Sequence, residues 1–315
     1  MAEVSARNII NMKIIFFGTP DFAIPSLNIL FESEHEVVAV VTAPDKERGR
    51  GRKVSYTPVK EYSLANNIPC LQPVSLNDEN FLKEIAKFDA DLFVVVAFRI
   101  LPKSIYTMPK YGSFNLHGSL LPKYRGAAPI QWAIINGDNE TGVTTFFLAD
   151  KVDTGNIIAK ESLAVGEDDN FGAIHDKMSI LGSGLVLKTV SMIENGNIKL
   201  LPQDDSMATP APKITKETCR IDFNKNARSV NNLVRGLSPF PGAYCIINEK
   251  HFKIYKSNIS EMQLAPGEVM QTKNEIFIGC GQGSLQVLEI QPEGRKRMTA
   301  ADFLRGYTLT DDKGQ

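Results

Sequence analysis

Apolar runs alternate with helical patterns over the first two thirds of the chain. The runs predict buried strands, and they lie at residues 13–18, 36–42, 92–97 and 113–117. Apolar residues at helical spacing predict helices between the strands, at residues 21–33, 58–67, 78–88 and 129–136. Strands and helices in this order indicate an α/β fold with a mostly parallel sheet that is covered on both faces.

The pattern changes after this region. Strands are predicted at 142–149 and 156–163, and a long helix at 171–193. Residues 201–212 are polar and rich in proline, without helical or strand periodicity, which is typical of an interdomain linker. We therefore expect one domain at residues 12–200 and a second at residues 213–315.

The second domain has the pattern of a small β-barrel. One helix is predicted at 227–237, and short strands are predicted at 243–247, 252–255, 275–278 and 285–290. The glycine-rich segment 279–283 resembles a phosphate-binding loop, but strands flank it on both sides. A hairpin turn is therefore the better interpretation of this segment.

Composition limits the class of protein. A chain of 315 residues with 43% hydrophobic and 23% charged residues is typical of a two-domain soluble protein. No apolar run approaches the ~20 residues of a membrane-spanning helix, and the first residues do not resemble a secretory signal, so we expect a cytoplasmic protein. The four cysteines are scattered, which argues against structural zinc or a disulfide framework and favours core positions.

Basic residues are concentrated in two places. Residues 206–315 contain 15 basic and 11 acidic residues, a net charge of +4, whereas residues 1–205 carry a net −5. A loop at 44–56 contains five basic residues and two acidic ones. Such charges are often only a solvated surface, but Lys and Arg at the end of a sheet strand also suit RNA phosphates.

Three residues suggest acyl-transfer chemistry. Asn115 and His117 lie two residues apart in a predicted strand, so both side chains project from one face, and Asp153 begins an Asp-Thr-Gly turn. Each residue alone is also compatible with an ordinary strand end or turn. Together they supply a donor for a developing oxyanion, a proton carrier and a carboxylate beside it, which acyl transfer to an amine requires.

The motifs around these residues resemble a known family. Residues 115–122 read Asn-Leu-His-Gly-Ser-Leu-Leu-Pro, residues 125–129 read Arg-Gly-Ala-Ala-Pro, and residues 153–155 read Asp-Thr-Gly. This combination resembles the folate-dependent formyltransferases. The longer string 119–132, with Phe-Gly-Thr-Pro-Asp-Phe at 17–22 and the segments 238–243 and 292–298, is similar to family members that act on methionyl-tRNA.

The resemblance implies a fold and a reaction. It implies a Rossmann-like formyltransferase domain followed by an OB-like barrel that binds tRNA. The implied reaction moves a formyl group from 10-formyltetrahydrofolate to the α-amine of initiator methionyl-tRNA, for translation initiation, without a metal. In it Asn115 donates to the oxyanion, His117 carries protons and Asp153 orients His117. We expect a monomer.

The resemblance also implies binding residues. The folate site is expected to comprise Val95, Ala97, Phe98, Ile100, Leu101, Ser119, Leu120, Leu121 and Pro122. The tRNA-binding residues are expected to be Arg48, Arg50, Arg52 and Lys53 in the basic loop, and Arg295, Lys296 and Arg297 in the second domain. The usual family pattern Ala-Tyr-Gly-x-Ile-Leu-Pro is altered here, because Phe98 and Arg99 replace the tyrosine and glycine.

Other functions remain compatible with the residues. The same trio would serve a formyltransferase that acts on glycinamide ribonucleotide or an amino-sugar nucleotide. An RNA-binding protein without catalytic activity could also contain the barrel. The second domain argues against glycinamide ribonucleotide, and the long Ser-Leu-Leu-Pro string and the basic loop favour tRNA as the acceptor. The intact trio argues against a protein that only binds RNA.

Overall fold

The computed structural model describes residues 11–48 and 53–309. Within them the chain forms two compact units, and each is built from separate chain segments. The first unit contains the residues up to Arg125 together with 142–162 and 176–209, and the second contains 126–141, 163–175 and the residues from Pro210 onwards.

The first ten strands belong mainly to the first unit. They are β1 (Lys13–Gly18), β2 (Glu36–Val41), β3 (Lys46–Arg48), β4 (Lys53–Ser55), β5 (Cys70–Leu71), β6 (Leu92–Val96), β7 (Ser113–His117), β8 (Arg125–Gly126), β9 (Glu140–Phe147) and β10 (Ile157–Ala164). The helices over the same part of the chain are α1 (Ile24–Phe31), α2 (Pro58–Ala65), α3 (Glu79–Ala86), α4 (Lys103–Tyr106), α5 (Pro129–Ile135) and α6 (Phe171–Glu194).

Seven of these strands form one sheet in the order β10-β9-β7-β6-β1-β2-β5. The neighbours from β7 to β5 pair in parallel, whereas β9 runs antiparallel to β7. The predicted mostly parallel α/β sheet is thus confirmed. One face is covered by an apolar cluster that includes Phe17, Val95, Phe81 and Ile85, so α3 packs against β1 and β6.

The register places three loops at one edge of this sheet. Gly18 at the end of β1 pairs with Val96 at the end of β6, and Val96 pairs with Leu116 on β7. The chain therefore leaves all three strands at the same edge, where ligands bind in open parallel sheets. Helix α6 approaches β7 closely on the Leu116 side, since a Cβ atom at Gly182 would lie 2.6 Å from Leu116 Cδ2.

The basic loop differs from the sequence prediction. We expected residues 44–56 to form a loop, but the two arms that the structure describes, β3 and β4, pair as an antiparallel hairpin, with Arg48 opposite Lys53. Its base is held by hydrogen bonds from Gln72 and Lys60 to the Asp45 carboxylate, and these bonds lower the pKa of Asp45. The two strands pair because the backbone N–H and C=O groups of each strand form hydrogen bonds with those of the other.

The second unit contains a separate antiparallel sheet. Its elements are α7 (Ala227–Gly236), β12 (Ala243–Ile247), β13 (Lys250–Ser260), β14 (Val269–Gln271), β15 (Ile276–Gly279), β16 (Ser284–Pro292), β17 (Met298–Thr299) and α8 (Ala300–Leu304), preceded by the short β11 (Pro210–Ala211). The order is β12-β13-β16-β15-β14, and β17 also pairs with β16. Val230, Val234, Ile254, Val287 and Phe303 lie in its buried core, so α7 and α8 pack against the sheet.

The second sheet is more extensive than the sequence prediction. The hairpin turn expected at 279–283 does connect β15 to β16, and the half-barrel arrangement agrees with the predicted barrel class. In the chain as a whole, the structure adds short elements that the hydrophobic pattern did not predict, namely α4, α8, β5, β8, β11, β14 and β17. These elements have two to five residues, so their periodicity is too short to recognise.

Candidate active site

His117 is the most buried member of the proposed trio. It ends β7 and is 6% exposed. Its Nε2 atom lies 2.8 Å from the carbonyl oxygen of Tyr124. Because a carbonyl only accepts hydrogen bonds, Nε2 must carry the proton, and in the neutral ring Nδ1 is the unprotonated nitrogen.

Asp153 lies on the Nδ1 side of the same ring. Its Oδ2 atom is 3.8 Å from Nδ1 of His117, within ion-pair range but longer than a hydrogen bond. The two side chains are only 7% and 12% exposed, so little water reaches the pair. The hydrogen bond that orients the neutral ring therefore comes from Tyr124, and the carboxylate of Asp153 faces Nδ1.

Asp153 reaches this position because the chain reverses direction between β9 and β10. Because β9 runs antiparallel to β7, it ends beside the start of β7, where Phe147 pairs with Phe114. The segment between β9 and β10 then returns far enough to bring the carboxylate to His117 at the other end of the strand. Asp153 adopts a left-handed backbone conformation with φ of 55° in this turn.

Asn115 lies two residues before His117, on the same face of β7. It pairs with Val95 on β6 and with Phe146 on β9, and its side chain is partly exposed. Among the residues that the structure describes, its amide has no hydrogen-bond partner. The amide is therefore available to a substrate oxygen, as the oxyanion role requires.

The loop after His117 is held by its own polar groups. Thr144 Oγ1 donates to the carbonyl of Ser119 and accepts from the amide of Leu121, at 2.7 and 3.1 Å. Ser119 donates to the carbonyl of Lys123, and Lys160 donates to that of Leu121, where burial lowers the pKa of the Lys160 ammonium. Because these polar groups already form hydrogen bonds within the protein, the loop would contact a ligand mainly through its shape.

The expected folate segment 97–101 lies at the adjacent strand end. It follows β6 outside any helix or strand, so its backbone groups are not part of a sheet ladder. Val95 and Leu101 are buried in the core, whereas Ile100 is 73% exposed. A chain of free backbone donors and acceptors beside an apolar surface suits a flat heterocycle such as a pterin.

The two residues that depart from the family pattern have defined structural roles. The Phe98 ring packs edge-on against Phe17, with 5.6 Å between ring centroids. The guanidinium of Arg99 donates to the carbonyls of Pro73 and Val74 at 2.8 and 3.0 Å. The left-handed residue of this segment is Ala97, with φ of 49°, so position 99 does not require glycine.

The expected tRNA-binding residues fall into two groups. In the first, Arg48 and Lys53 are in the hairpin strands β3 and β4, whereas Arg50 and Arg52 lie outside the described residues.

The second group lies in the second unit and differs in its partners. Arg297 forms an ion pair with Glu289 and lies 4.6 Å from the centroid of the Tyr255 ring. Arg295 lies 6.0 Å from the Tyr307 ring. Lys296 is exposed, with no ion-pair partner in the part of the chain that the structure describes. Arg297 is therefore less available to a phosphate than Lys296.

Comparisons with known proteins agree with this site. A family model described as formyl transferase matches residues 12–190, and one described as formyl transferase, C-terminal domain, matches residues 213–308. The chain belongs to the formyl transferase family. The resemblance seen in the motifs is thereby confirmed.

Similar full-length relatives carry a more specific name. The methionyl-tRNA formyltransferase of Flavobacterium johnsoniae is 47% identical over 308 residues, which cover 96% of this chain and 98% of the relative. The protein of the same name from Bacteroides fragilis is 45% identical over 313 residues, with 96% and 97% covered. The sequence match of this formyl transferase thus extends over both units.

Solved structures share the fold at lower identity. The sugar 3N-formyl transferase WlaRD, solved with dTDP and 5-N-formyl-THF, has a TM-score of 0.67 at 21% identity, covering 91% of this chain and all of WlaRD. HypX from Aquifex aeolicus, in complex with tetrahydrofolic acid, has a TM-score of 0.65 at 19% identity, covering 94% of this chain and 47% of HypX. At this identity the likeness supports the fold.

Two kinds of feature are absent from the described residues. No helix among residues 11–48 and 53–309 is long and apolar enough to cross a membrane. Within the same ranges, His, Cys, Asp and Glu side chains form no group of three that could hold a metal ion.

Sequence reasoning missed several residues that build the site. Tyr124 anchors His117 through a main-chain carbonyl, and Thr144 closes the loop after it. Gln203 donates to the turn that carries Asp153. The sequence contains no signal for the contact of Tyr124, because any residue type could supply a main-chain carbonyl. It contains none for Gln203, because this residue lies in the segment that we interpreted as a linker.

Proposed function

We propose that this formyl transferase moves a formyl group from 10-formyltetrahydrofolate to the α-amine of initiator methionyl-tRNA, giving N-formylmethionyl-tRNA for translation initiation. The observation that carries the proposal is the shielded pair of His117 and Asp153 beside the available amide of Asn115. The names of relatives that are 45–47% identical over nearly the whole chain support the choice of acceptor.

The chemistry begins with an uncharged amine. The reference pKa of an α-amino group is about 7.7–8, so a large fraction is neutral near neutral pH and positioning matters most. As the amine attacks the formyl carbon, the amide of Asn115 donates to the oxygen on which negative charge develops. The folate supplies the formyl group and leaves with a proton on its nitrogen.

His117 moves the proton between the two nitrogens. Its Nε2–H is engaged by Tyr124, so Nδ1 is the atom that accepts the proton from the attacking amine. The resulting imidazolium is stabilised by the carboxylate of Asp153. The same Nδ1–H can then protonate the leaving nitrogen as the bond between it and the formyl carbon breaks.

We propose two kinds of folate contact. Ala97, Phe98 and Ile100 contribute backbone groups and exposed surface, while the buried Val95 and Leu101 fix the shape beneath them. The loop of Ser119, Leu120, Leu121 and Pro122 borders the donor, and its internal hydrogen bonds keep it in one shape.

We also propose where tRNA binds. Two groups of residues would contact phosphates, which positions RNA without reading its bases. They are Arg48, Arg50, Arg52 and Lys53 of the basic loop, and Arg295, Lys296 and Arg297 of the second unit. On this proposal residues 12–200 carry the chemistry, 213–315 bind tRNA and 201–212 connect them. We propose that the protein acts as a monomer in the cytoplasm.

The test is a competition between acceptors. The protein is incubated with 10-formyltetrahydrofolate and methionyl-tRNA, and glycinamide ribonucleotide and a dTDP-amino sugar are added in separate reactions at equal concentration. We expect formylated methionyl-tRNA to be the main product in each mixture. Preferential formylation of either small acceptor would overturn the proposed substrate, and the absence of any product would overturn the proposed reaction.

A further inference from the structure

We propose that Gln203 is a positioning residue for Asp153, and that Arg125 holds Gln203 in the orientation that this role needs. The inference rests on the proposed function, in which Asp153 stabilises the protonated form of His117. It assigns a role in the reaction to a residue that sequence reasoning had placed in a linker.

The first observation is a pair of hydrogen bonds across the turn. Nε2 of Gln203 donates to the carbonyl oxygens of Asp153 and Gly155, both at 2.9 Å. One side-chain amide therefore joins two carbonyls that are two residues apart in the chain. This arrangement fixes the direction of the main chain at Asp153, from which the carboxylate projects towards His117.

The second observation is that the amide of Gln203 can adopt only one orientation. Its Oε1 atom accepts from Nε and Nη2 of Arg125, at 3.1 and 2.8 Å. A guanidinium only donates and a carbonyl only accepts, so a flipped amide would lose every one of these bonds. Arg125 is itself fixed by Asp205, whose Oδ1 lies 2.8 Å from Nη2.

The third observation is that the segment with Gln203 also fixes the loop that contacts His117. Thr209 accepts hydrogen bonds from the backbone amides of Tyr124 and Arg125, both at 2.9 Å. The carbonyl of Tyr124 in turn accepts from His117. Residues 203–209 therefore brace both the turn that carries Asp153 and the loop that anchors His117.

Backbone conformation explains why bracing is needed. Asp153 and Tyr124 have φ of 55° and 61°, in the left-handed region that residues other than glycine rarely adopt. Such conformations persist when the surrounding structure over-determines them, and they occur often at functional sites. Hydrogen bonds from residues 203–209 supply that constraint at both positions.

The direct test replaces the donor group of Gln203. In Gln203→Glu an oxygen replaces the nitrogen that faces the two carbonyls, while Arg125 keeps an acceptor. We expect kcat to fall about tenfold or more, with KM for both substrates nearly unchanged, because the variant disturbs proton transfer and no binding surface. The matched control is Gln263→Glu, since Gln263 is exposed and its amide also donates to a carbonyl, that of Glu261.

A double-mutant cycle separates positioning from general stability. If Gln203 acts through Asp153, Gln203→Glu should have little further effect on kcat in an Asp153→Asn background. Effects that multiply, or a wild-type kcat for Gln203→Glu alone, would overturn the inference and leave the proposed function intact. A wild-type kcat for Asp153→Asn alone would instead refute the role of Asp153 in the proposed function, and the inference with it.

A second variant covers the case in which Gln203→Glu does not fold. Gln203→Met keeps the length of the side chain without a new charge, and thermal unfolding and folate binding establish that it is folded. The same loss of kcat at unchanged KM is expected. A folded Gln203→Met with wild-type kcat would contradict the inference.

Discussion

The two units of this molecule hold their important polar residues in different ways. In the first unit, His117 is 6% exposed and is fixed by a main-chain carbonyl, and the turn with Asp153 is braced by Gln203. In the second unit, Arg295 and Lys296 are exposed residues of the turn between β16 and β17. The first arrangement controls distances between atoms, whereas the second controls only the position of charge.

This difference matches the different requirements of catalysis and of phosphate binding. Proton transfer and oxyanion stabilisation depend on distances held to about 0.5 Å, which buried hydrogen bonds can maintain. Attraction to phosphates depends on the number of cations and tolerates mobile side chains. Changes in the first unit should therefore affect turnover, and changes in the second should affect affinity for tRNA.

The largest expected effect is on turnover when the trio is altered. His117→Ala, and separately Asn115→Ala, should lower kcat about 10²-fold or more, because proton-transfer and oxyanion contributions have that size. Binding of folate and of tRNA, measured by titration, should change little. His251→Ala is the control, since this histidine is exposed and lies in the second unit. A loss of kcat in the control as large as in His117→Ala would remove the distinction between the units.

The next effect is on tRNA affinity when charge is removed from the second unit. Replacing Arg295, Lys296 and Arg297 together by alanine should weaken tRNA binding and flatten its salt dependence, by about one unit of log–log slope for each phosphate that these side chains neutralise. Among the single variants, Lys296→Ala should have a larger effect than Arg297→Ala, because Arg297 is paired with Glu289.

The control for this measurement removes equal charge elsewhere. Lys83, Lys87 and Lys110 are exposed lysines of the first unit, and their joint replacement by alanine changes the net charge by the same amount. An equal drop in affinity in the control would mean that overall charge, and no particular surface, binds the tRNA.

A smaller effect is expected where this chain departs from the family pattern. Arg99→Gly removes two hydrogen bonds to the carbonyls of Pro73 and Val74 and adds backbone freedom. We expect a loss of about 1–3 kcal/mol in the free energy of unfolding, measured by chemical denaturation. Because Ala97 and not Arg99 has the left-handed conformation, kcat should change little. A more stable variant would contradict this role of Arg99.

The smallest effect concerns cysteine reactivity. Burial raises the pKa of Cys245 to about 12 and that of Cys280 to about 11 in the second unit, so both remain neutral thiols at pH 8. Burial also raises the pKa of Cys70 in the first unit, but this residue is only partly buried. A thiol reagent at pH 8 should therefore modify Cys70 first, as peptide mass spectrometry would detect. Earlier modification of Cys245 would contradict the buried core of the second unit.

The sequence predicted those parts of the site that depend on local pattern. The apolar runs of β1, β2 and β6 gave the parallel sheet, and the spacing of Asn115 and His117 placed both side chains on one face. These inferences succeed because strand periodicity is a property of neighbouring residues.

The remaining parts depend on contacts between distant residues. The return of Asp153 to His117 follows from the direction of β9, and the brace from Gln203 follows from a segment without periodicity. The pairing of Arg297 with Glu289 required the second sheet to be built. No local pattern of polar residues encodes such partners.

The turnover number at saturating concentrations of both substrates tests the central claim most directly. The full-length protein, His117→Ala and the triple variant of Arg295, Lys296 and Arg297 are each mixed with excess methionyl-tRNA and 10-formyltetrahydrofolate. We predict that the triple variant reaches the wild-type rate once tRNA is saturating, whereas His117→Ala remains about 10²-fold slower at every concentration. A triple variant that stays slow at saturation, or a wild-type rate for His117→Ala, would contradict the account.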